Sequence, residues 1–322
     1  MKQRIVFRSD GDSEIGLGHV VRSLALSKIL RDHFNCIFAT RFVSDFLFNE
    51  ISESCADLIK LSENCDDHFQ EFLQLLRKTD IVVLDNYFFN TDYQIAIKNL
   101  GCTLVCIDDM SDKHYVSDVI INHSPGKSDG DFSRESYTRL CLGLDFALLR
   151  REFFSAIVRR VRKSPRRALV CLGGADKFDI TSKIVSLLCQ HRGVQIIDII
   201  IGAAYEHSVK LNKVIAGSDK RINLYSNLSA QEMSFRMQVC DFGVLPASSV
   251  CLEALAVGLP FILGYTVENQ ISFYNVLISD FNVRGIGNFA SLKRLPSIQI
   301  ENLPQILLKD SRENLISVFE RL

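Results

Sequence analysis

Short apolar runs recur along the first half of the chain, and longer mixed segments separate them. The runs lie at residues 5–7, 36–39, 81–84 and 104–107, with helix-like stretches at 19–31, 67–77 and 91–99 between them. Apolarity within each run is continuous rather than alternating, which indicates strands covered on both faces, as in a parallel sheet with crossover helices. The pattern therefore predicts an α/β unit made of repeated strand–helix pairs.

The same pattern starts again after a charged, proline-containing segment at 155–167. Further apolar runs lie at 168–172, 196–201, 241–245 and 261–263, and a helix-like segment follows each of them. Two such halves predict the α/β fold class, with two Rossmann-like parallel-sheet domains that face each other across a cleft. We place the domains at 1–157 and 158–322. The last helix-like segment, about 308–322, could pack on either of them, including back on the first.

Composition fits two globular domains and excludes several kinds of partner. Of the 322 residues, 47% are apolar and 23% are charged, and 37 basic residues nearly balance 38 acidic ones, for a net charge of −1. No global electrostatic field favours nucleic acid or an anionic membrane surface, so neither is an expected partner. The basic residues between 159 and 167 are a local exception that suits a solvated connector, because no aromatic residues interleave with them. A monomer is compatible with the sequence.

The cysteines and the first residues indicate a soluble cytoplasmic protein. Ten scattered cysteines form no C-x-x-C pair, and several lie inside apolar runs, which is typical of small core residues in a reducing compartment. The first residues lack the pattern of a signal peptide. No stretch approaches the ~20 apolar residues that a membrane span needs. We also expect no metal site and no cofactor.

The loop 9–19 is the first candidate site, because ligands of open parallel sheets bind beyond the carboxyl ends of the strands. Gly16 and Gly18 precede a helix, but the dinucleotide pattern G-x-G-x-x-G would need a third glycine where the chain has Val21. The two glycines let main chain approach a bound group. The helix dipole helps to keep His19, in the first turn, neutral at pH 7, as a general base requires. A tight turn with a solvated histidine is the alternative.

The second candidate site is the segment 245–260, where a strand, a turn and a helix follow each other. Ser248, Ser249 and Val250 open the helix, and free N–H groups with two hydroxyls at such a start suit a diphosphate. Glu253 lies about one helical turn further on, where a carboxylate suits the two hydroxyls of a ribose. The alternative is a well-capped helix in which Ser248 is only the N-cap and Glu253 lies at the surface.

Two shorter signals point to the same ligand. Gly173 and Gly174 follow a buried strand and would let main chain approach the ligand from the second domain, or they form a plain turn. Asn269 and Gln270 stand near the start of a later helix and offer amide groups to sugar hydroxyls, or they are only a cap. Neither signal is specific by itself.

Acidic pairs receive a structural interpretation. The D-x-D strings at 10–12 and 129–131 match a pattern that holds metals in many sugar-nucleotide enzymes, but Asp and Gly are also the residues that build turns, so we predict turns. Asp108 and Asp109 follow a predicted strand, where they could bind a ligand hydroxyl or brace a neighbouring loop, and we expect bracing.

Seven short motifs, taken together, resemble a known family. They are R-S-D…I-G-x-G-H at 8–19, D-x-Y at 85–87, D-D at 108–109, G-x-x-x-A-L-x-R-x-E-F at 143–153, G-G-x-D at 173–176, A-S-S-x-x-x-E-A-L at 247–255 and N-Q at 269–270. In this order, over nearly the whole chain, they resemble the UDP-sugar hydrolases of pseudaminic acid biosynthesis, called PseG. The resemblance implies a GT-B architecture similar to that of the glycosyltransferase MurG, with UDP bound mainly by the second domain.

The resemblance also implies a reaction and the residues that serve it. UDP-2,4-diacetamido-2,4,6-trideoxy-β-L-altropyranose would be hydrolysed to UDP and the free sugar by water that inverts the anomeric carbon, without a metal. His19 matches the family's catalytic histidine, Tyr87 its active-site tyrosine, Glu253 its nucleotide-binding glutamate and Asn269 its amide near the substrate. Asn86 departs from the pattern, since relatives often carry histidine there. A GT-B glycosyltransferase and a non-catalytic nucleotide-sugar binding protein remain the alternatives.

Overall fold

The described part of the chain forms two compact units. The computed structural model describes residues 2–11, 17–64, 67–155, 166–202, 204–296 and 308–322. One unit comprises residues 1–151 together with 310–322, and the other comprises 152–309. The predicted domain boundary at 157 and the basic residues at 159–163 lie outside the described residues, so the predicted boundary and connector stay predictions.

The first unit is built on a seven-stranded parallel sheet. Its strands are β1 (Arg4–Ser9), β2 (Asn35–Thr40), β3 (Asp57–Lys60), β4 (Ile81–Asp85), β5 (Thr103–Ile107), β6 (His114–Tyr115), β7 (Val119–Asn122), β8 (Ser133–Arg134) and β9 (Arg139–Leu142). Its helices are α1 (Gly18–Leu30), α2 (Asp45–Ser54), α3 (Asp67–Leu75) and α4 (Thr91–Asn99), and the short α5 (Arg151–Phe154) lies where the two units divide. The sheet order is β3-β2-β1-β4-β5-β7-β9, and β6 pairs with β8 separately.

The continuous apolar runs explain why this sheet is covered on both faces. Within β1, Ile5 and Phe7 belong to one core cluster, whereas Val6 belongs to the cluster on the opposite face, and all three are fully buried. Neighbouring strands repeat the arrangement, because successive side chains of a strand point to opposite faces. The predicted α/β class is confirmed in this unit.

The second unit repeats the design with a six-stranded parallel sheet. Its strands are β10 (Arg167–Cys171), β11 (Ile196–Ile201), β12 (Arg221–Ser226), β13 (Phe242–Pro246), β14 (Phe261–Tyr265) and β15 (Arg284–Asn288). Its helices are α6 (Ile180–Cys189), α7 (Ser208–Ala216), α8 (Ala230–Val239), α9 (Ser249–Val257) and α10 (Ile271–Ser279). The sheet order is β12-β11-β10-β13-β14-β15, so this unit is Rossmann-like as well.

The last helix, α11 (Arg312–Phe319), is part of the first unit although the whole second unit precedes it in sequence. Leu315, Val318 and Phe319 are buried in the same core cluster as Ile5. Just before the helix, the Ser311 hydroxyl donates a 2.6 Å hydrogen bond to the Ala147 carbonyl. Of the two packing sites that the sequence left open for 308–322, the structure shows the one on the first unit.

Several strands of both sheets were not predicted from the sequence pattern, whereas the buried position of the cysteines was. The missed strands are short or alternate in polarity: β3, β7, β9, β12 and β15. Buried cysteines in β5 and β10 agree with their prediction as core residues, Cys106 and Cys171 being 5% and 6% exposed. Across the part of the chain that is described, no helix has both the length and the apolarity to cross a membrane.

Candidate functional site

Each sheet has a point where its strand order reverses, and the candidate residues cluster there. In the first unit, β1 pairs with β2 on one side and with β4 on the other, so a crevice lies beyond the ends of β1 and β4. Ser9 and Asp85 are register partners at those two ends. The loop after β1 leads to His19 in the first turn of α1, which brings His19 to the end of β4.

His19 is held by a carboxylate. Its Nδ1 lies 2.7 Å from Oδ1 of Asp85, and both side chains are buried. Nδ1 also lies 3.0 Å from Arg22 Nη2, but that group donates to Oδ1 of Asp85 at the shorter distance of 2.6 Å. Two unprotonated acceptors would repel each other at 2.7 Å, so we assign the proton to Nδ1, which donates to Asp85. The free lone pair then lies on Nε2, which makes no hydrogen bond within the described part of the chain. The geometry leaves Nε2 as a proton acceptor.

Arg22 fixes the carboxylate that holds His19. It lies three residues after His19 on α1, and its Nε and Nη2 donate to Oδ2 and Oδ1 of Asp85 at 2.8 and 2.6 Å. The Ser23 hydroxyl adds a hydrogen bond of 3.0 Å to Oδ2. Burial by itself would raise the pKa of Asp85, but the charge of Arg22 and the hydrogen bonds from Arg22 and His19 lower it to about 2. Asp85 is therefore ionised at neutral pH.

A second carboxylate and a tyrosine extend this network. Arg22 Nη1 donates to Oδ2 of Asp109 at 3.1 Å, and the Tyr87 hydroxyl donates to the same oxygen at 3.4 Å. The Tyr87 ring meets the His19 ring edge-on, with centroids 4.5 Å apart. Burial would raise the pKa of Asp109, but the charge and the hydrogen bond of Arg22 bring it below its ordinary value. Asp109 thus joins the site, while Asp108 braces the loop as predicted, accepting from the Ser111 N–H at 2.7 Å.

The structure decides between the two hypotheses for the first loop in part. His19 is 5% exposed, so the alternative of a solvated histidine is wrong. Gly18 is exposed, and a Cβ placed on it would meet none of the described residues within 4 Å, so the predicted approach of main chain to a ligand stays a prediction. Gly16 lies outside the described residues, and its role stays a prediction.

The second candidate site lies at the equivalent point of the other sheet. There β10 pairs with β11 and β13, and α9 begins directly after β13. Ser248 occupies the N-cap position, but its side chain makes no capping hydrogen bond. The N–H groups of Ser249 and Val250 donate to no acceptor among the described residues. The hypothesis of a self-capped helix is therefore wrong for α9, and its N-terminus is open to an anion.

A neighbouring helix in the same unit is capped by acids. At the start of α6, the Asp176 carboxylate accepts from the N–H groups of Ile180 and Thr181 at 2.9 and 2.7 Å, and Asp179 is the N-cap. The donors of α6 are therefore occupied, whereas those of α9 are open.

The glycines after β10 differ from each other. Gly173 has a φ of +98°, which only glycine adopts without strain, so its residue type is explained by the turn. The close main-chain approach lies between Gly174 and Gly202, since a Cβ on Gly202 would stand 2.4 Å from the Gly174 carbonyl oxygen. Beside Gly173 and Gly174 themselves there is open space. The turn and the predicted ligand contact are thus compatible.

The remaining predicted residues have distinct environments. Glu253 is 6% exposed, so the alternative that placed it at the surface is wrong, and its contact with a ribose stays a prediction. Asn269 is exposed and Gln270 half-buried, and both lie in a short turn that precedes α10 rather than inside that helix. The Gln270 side-chain oxygen accepts from the Thr266 N–H at 2.9 Å, so this oxygen holds its own loop and only the amide nitrogen is left for a sugar hydroxyl.

Of the two D-x-D strings, the structure describes one completely and only the first aspartate of the other. Asp129 and Asp131 lie in a turn in which Asp131 accepts from the Ser128 N–H at 2.7 Å, as the turn prediction stated. Asp10 is fully buried and accepts hydrogen bonds from two arginines, while Asp12 lies outside the described residues. The prediction of no metal stays a prediction.

The side chains that position His19 were not identified from the sequence. The motifs included the segment 85–87 and the 108–109 pair, but Arg22 belonged to none of them. One signal was available: Arg22 is three residues after His19, and residues three apart share a helix face. That Asp85 ends the strand beside β1 depends on the strand order, which the sequence does not state.

The chain is similar in sequence to an archaeal and a bacterial protein. No protein-family model matches the chain. An uncharacterized protein of Methanocaldococcus jannaschii is 27% identical over 286 residues, which is 84% of this chain and 57% of that protein. The UDP-2,4-diacetamido-2,4,6-trideoxy-beta-L-altropyranose hydrolase of Campylobacter jejuni is 26% identical over 274 residues, which is 84% of this chain and 94% of that enzyme. The chain thus spans little more than half of the archaeal relative.

Solved structures share the fold at low sequence identity. MurG of Acinetobacter baumannii superposes with a TM-score of 0.63 at 10% identity, over 99% of this chain and all of MurG. HepE of Anabaena, solved in complex with UDP-glucose, gives a TM-score of 0.57 at 12% identity, over 99% of this chain and all of HepE. The chain has the MurG-like GT-B fold, which confirms the fold expected from the motifs. The resemblance to PseG is confirmed by the sequence similarity to the Campylobacter jejuni hydrolase.

Proposed function

We propose that this protein is an enzyme that acts on a UDP-sugar, and that it hydrolyses the bond between the anomeric carbon and UDP. The observation that carries the proposal is the pairing of His19 with Asp85, which leaves Nε2 as a proton acceptor in a strand-end crevice. An ionised carboxylate behind a histidine is the usual way to fix its tautomer for general-base chemistry. Similarity to the Campylobacter jejuni hydrolase supports the same reaction.

The reaction assigns one role to each strand edge. Nε2 of His19 takes a proton from water as the water oxygen bonds to the anomeric carbon, and Asp85 stabilises the imidazolium that forms. The bond between that carbon and the β-phosphate oxygen breaks, and its electron pair leaves with UDP. Inversion at the anomeric carbon follows from attack opposite the leaving group.

The second unit supplies the nucleotide site in this proposal. The open N–H groups of Ser249 and Val250 and the dipole of α9 suit the diphosphate, which gains negative charge as it leaves. Open space at Gly173 and Gly174 admits the phosphates close to main chain. We assign Glu253 to the ribose, Tyr87 and the Gln270 amide nitrogen to the sugar, and Asn269 to the same region. The sugar we propose is 2,4-diacetamido-2,4,6-trideoxy-β-L-altropyranose.

The test is turnover of that UDP-sugar by purified protein with no acceptor alcohol, followed by NMR. We expect UDP and free sugar, with the inverted anomer appearing first. His19→Asn should lower kcat by about 10²- to 10⁴-fold, the usual contribution of a general base. The matched control is His33→Asn, because His33 lies at the surface on an exposed ion pair with Glu320.

Two results would reject the proposal. Turnover that requires an added acceptor would make the protein a glycosyltransferase. Tight UDP-sugar binding with no turnover, unaffected by His19→Asn, would make it a binding protein.

A further inference from the structure

A second buried charge cluster lies on the other side of β1. Asp10, directly after β1, accepts from Arg8 Nη1 and Nη2 at 2.6 and 2.9 Å. Arg41, directly after β2, donates to the same carboxylate through its backbone N–H at 2.8 Å and through Nε at 2.7 Å. Arg8 and Asp10 are fully buried, and Arg41 is 8% exposed.

The charges of this cluster do not cancel. Two guanidinium groups share one carboxylate, and the third neighbour, His68, accepts from Arg8 through Nδ1 at 3.2 Å. Burial, together with the charges of Arg8 and Arg41, lowers the pKa of His68 to about 4, so it adds no charge at neutral pH. Among the buried side chains of this cluster that the structure describes, one positive charge is thus left over, at a place where charge is expensive to bury without a partner.

The outer end of Arg41 holds the unused hydrogen-bond donors. Asp10 engages its Nε and backbone N–H, while its two Nη groups donate to nothing in the described part of the chain. Its guanidinium carbon lies 4.9 Å from the ring centroid of Phe42 and 5.3 Å from that of Phe88, and both rings are half-buried. Arg41 therefore presents N–H donors between two partly exposed aromatic rings.

The position of Arg41 suits contact with the same substrate as His19. The ends of β2, β1 and β4 are consecutive at one sheet edge, and two strand spacings amount to about 10 Å, the reach of a hexose with its substituents. Asn86, next to Asp85, donates from its side-chain nitrogen to the Asp10 carbonyl at 3.0 Å, which joins the two clusters.

We propose that Arg41, with Phe42 and Phe88, binds an N-acylamino substituent of the sugar and so determines which UDP-sugars are accepted. Arginine only donates and an amide carbonyl oxygen only accepts, so the two groups match, whereas a hydroxyl can accept from Arg41 but also carries a donor that Arg41 cannot use. The acyl methyl group packs on the aromatic rings. This inference rests on the proposed function and specifies its substrate class.

The test crosses one variant with three substrates. The substrates are the diacetamido UDP-sugar and two analogues in which one or the other acetamido group is replaced by hydroxyl. For the wild type, one replacement should lower kcat/KM by about 10- to 100-fold, the range expected for a hydrogen bond to a charged group. Arg41→Lys keeps a charge beside Asp10 but loses the planar fork. It should therefore lower kcat/KM on the diacetamido substrate by a similar factor. The variant should then no longer distinguish the diacetamido substrate from the analogue that the wild type discriminates against.

Two further variants separate recognition from folding. Phe88→Leu removes the ring beside Arg41, which also packs on Phe69 and Phe89, and it should reduce the same discrimination without altering any charge. Arg31→Lys is the control, since Arg31 is an exposed arginine just after α1 whose side chain donates to the Glu53 carbonyl. Thermal unfolding reports whether each variant is folded.

The experiment distinguishes a failure of the Arg41 subsite from a failure of the proposed hydrolysis. Equal losses of Arg41→Lys on all three substrates, or unchanged discrimination, would overturn the subsite. If the wild type hydrolyses none of them, the proposed function fails, and the same cycle measured as Kd by calorimetry with the intact UDP-sugars decides the subsite. Preference for a UDP-uronate, whose carboxylate would satisfy the spare charge, over the diacetamido sugar would also overturn it.

Discussion

The two reversal points of this chain carry opposite kinds of chemistry on the same topology. Beyond β1 and β4, buried and ionised side chains surround His19 and fix its orientation. Beyond β10 and β13, glycines, serine hydroxyls and open backbone N–H groups meet solvent. A proton acceptor must keep one tautomer and one direction, which charges enforce, whereas a diphosphate is held by several neutral donors. The sheet provides the places, and the residues at the strand ends decide the chemistry.

The largest expected effect comes from a change among the charged side chains beyond β1 and β4 that leaves the second unit untouched. Asp85→Asn removes the acceptor that fixes His19, and we expect kcat to fall by about 10²- to 10⁴-fold, with Kd for UDP unchanged. Arg22 loses its main partner as well, so the free energy of unfolding should drop by about 3–5 kcal/mol. Steady-state kinetics, calorimetry with UDP and urea unfolding measure the three quantities.

Asp80→Asn is the matched control for that variant. Asp80 is a buried carboxylate at the other end of β4, where it accepts from the Arg77 N–H at 2.9 Å and faces Arg4. It should lose stability but keep its kcat per folded molecule. Equal kcat losses in both variants would mean that Asp85 acts only through folding.

The next largest effect comes from a change in the backbone N–H groups at the start of α9, in the second unit. Ser249→Pro deletes one open N–H at the first helical position, where proline is tolerated, and the extended backbone of Ser248, with φ −152° and ψ −176°, is compatible with a following proline. We expect Kd for UDP to rise by about 10- to 100-fold, as for the loss of a hydrogen bond to a charged group. Calorimetry with UDP measures it.

Ala230→Pro provides the control for this substitution. Ala230 is also the first residue of its helix, α8, after an extended N-cap at Ser229, with φ −61° and ψ 163°. The N-cap and Glu232 of α8 already form a capping box, so UDP affinity should not change. A loss of affinity in Ala230→Pro as large as in Ser249→Pro would point to a general effect of proline.

A third prediction sharpens the contrast in pH dependence. His123 is buried at the end of β7, where its Nδ1 accepts from the Leu148 N–H at 3.2 Å, and burial followed by the charge of Arg22 lowers its pKa to about 4. Because the unfolded chain binds this proton near pH 6.5 and the folded chain near pH 4, stability is unaffected above pH 6.5 and falls as the pH drops between these values. The loss is about 1.4 kcal/mol per pH unit.

His123→Asn should remove that slope, since an asparagine oxygen can accept from Leu148 without titrating. Urea unfolding at pH 7 and pH 5 compares the variant with the wild type. The same difference between the two pH values in both proteins would contradict the assignment.

The smallest effect concerns the two helix starts of the second unit. Asp176→Ala removes the carboxylate that accepts from two N–H groups of α6, and we expect a loss of about 0.5–2 kcal/mol in the free energy of unfolding. Ser248→Ala should cost much less, because the Ser248 side chain makes no capping hydrogen bond. Equal costs would show that α9 is capped after all.

Much of the fold was predictable because fully buried strands carry a strong signal. The runs at 5–7, 81–84 and 168–172 became β1, β4 and β10 with small changes at their ends. By contrast, β12 reads R-I-N-L-Y-S and lies at a sheet edge, where half of its residues face water, so no continuous run marks it. Strand β15, at the opposite edge of that sheet, reads R-G-I-G-N, so its glycines and polar residues leave no continuous apolar run to mark it.

The site was predictable in its positions more than in its partners. His19 and Ser249 follow from the rule that ligands bind at strand ends. Asp85 and Arg22 gain their role only when β4 lies beside β1, and that adjacency is a property of the sheet order rather than of any local pattern. The Arg41 cluster escaped for the same reason, since Asp10 and Arg41 are far apart in sequence and meet at neighbouring strand ends.

The position of α11 bears on the order in which the chain can fold during translation. Leu315, Val318 and Phe319 complete the core around β1, yet the ribosome adds them after every residue of 152–309. The unit that starts first therefore finishes last, against the usual N-terminal-first order. A chain that stops at residue 309 would retain His19, Asp85 and the entire second unit while leaving the apolar surface under α11 bare, which makes the segment 310–322 a sensitive place for truncation.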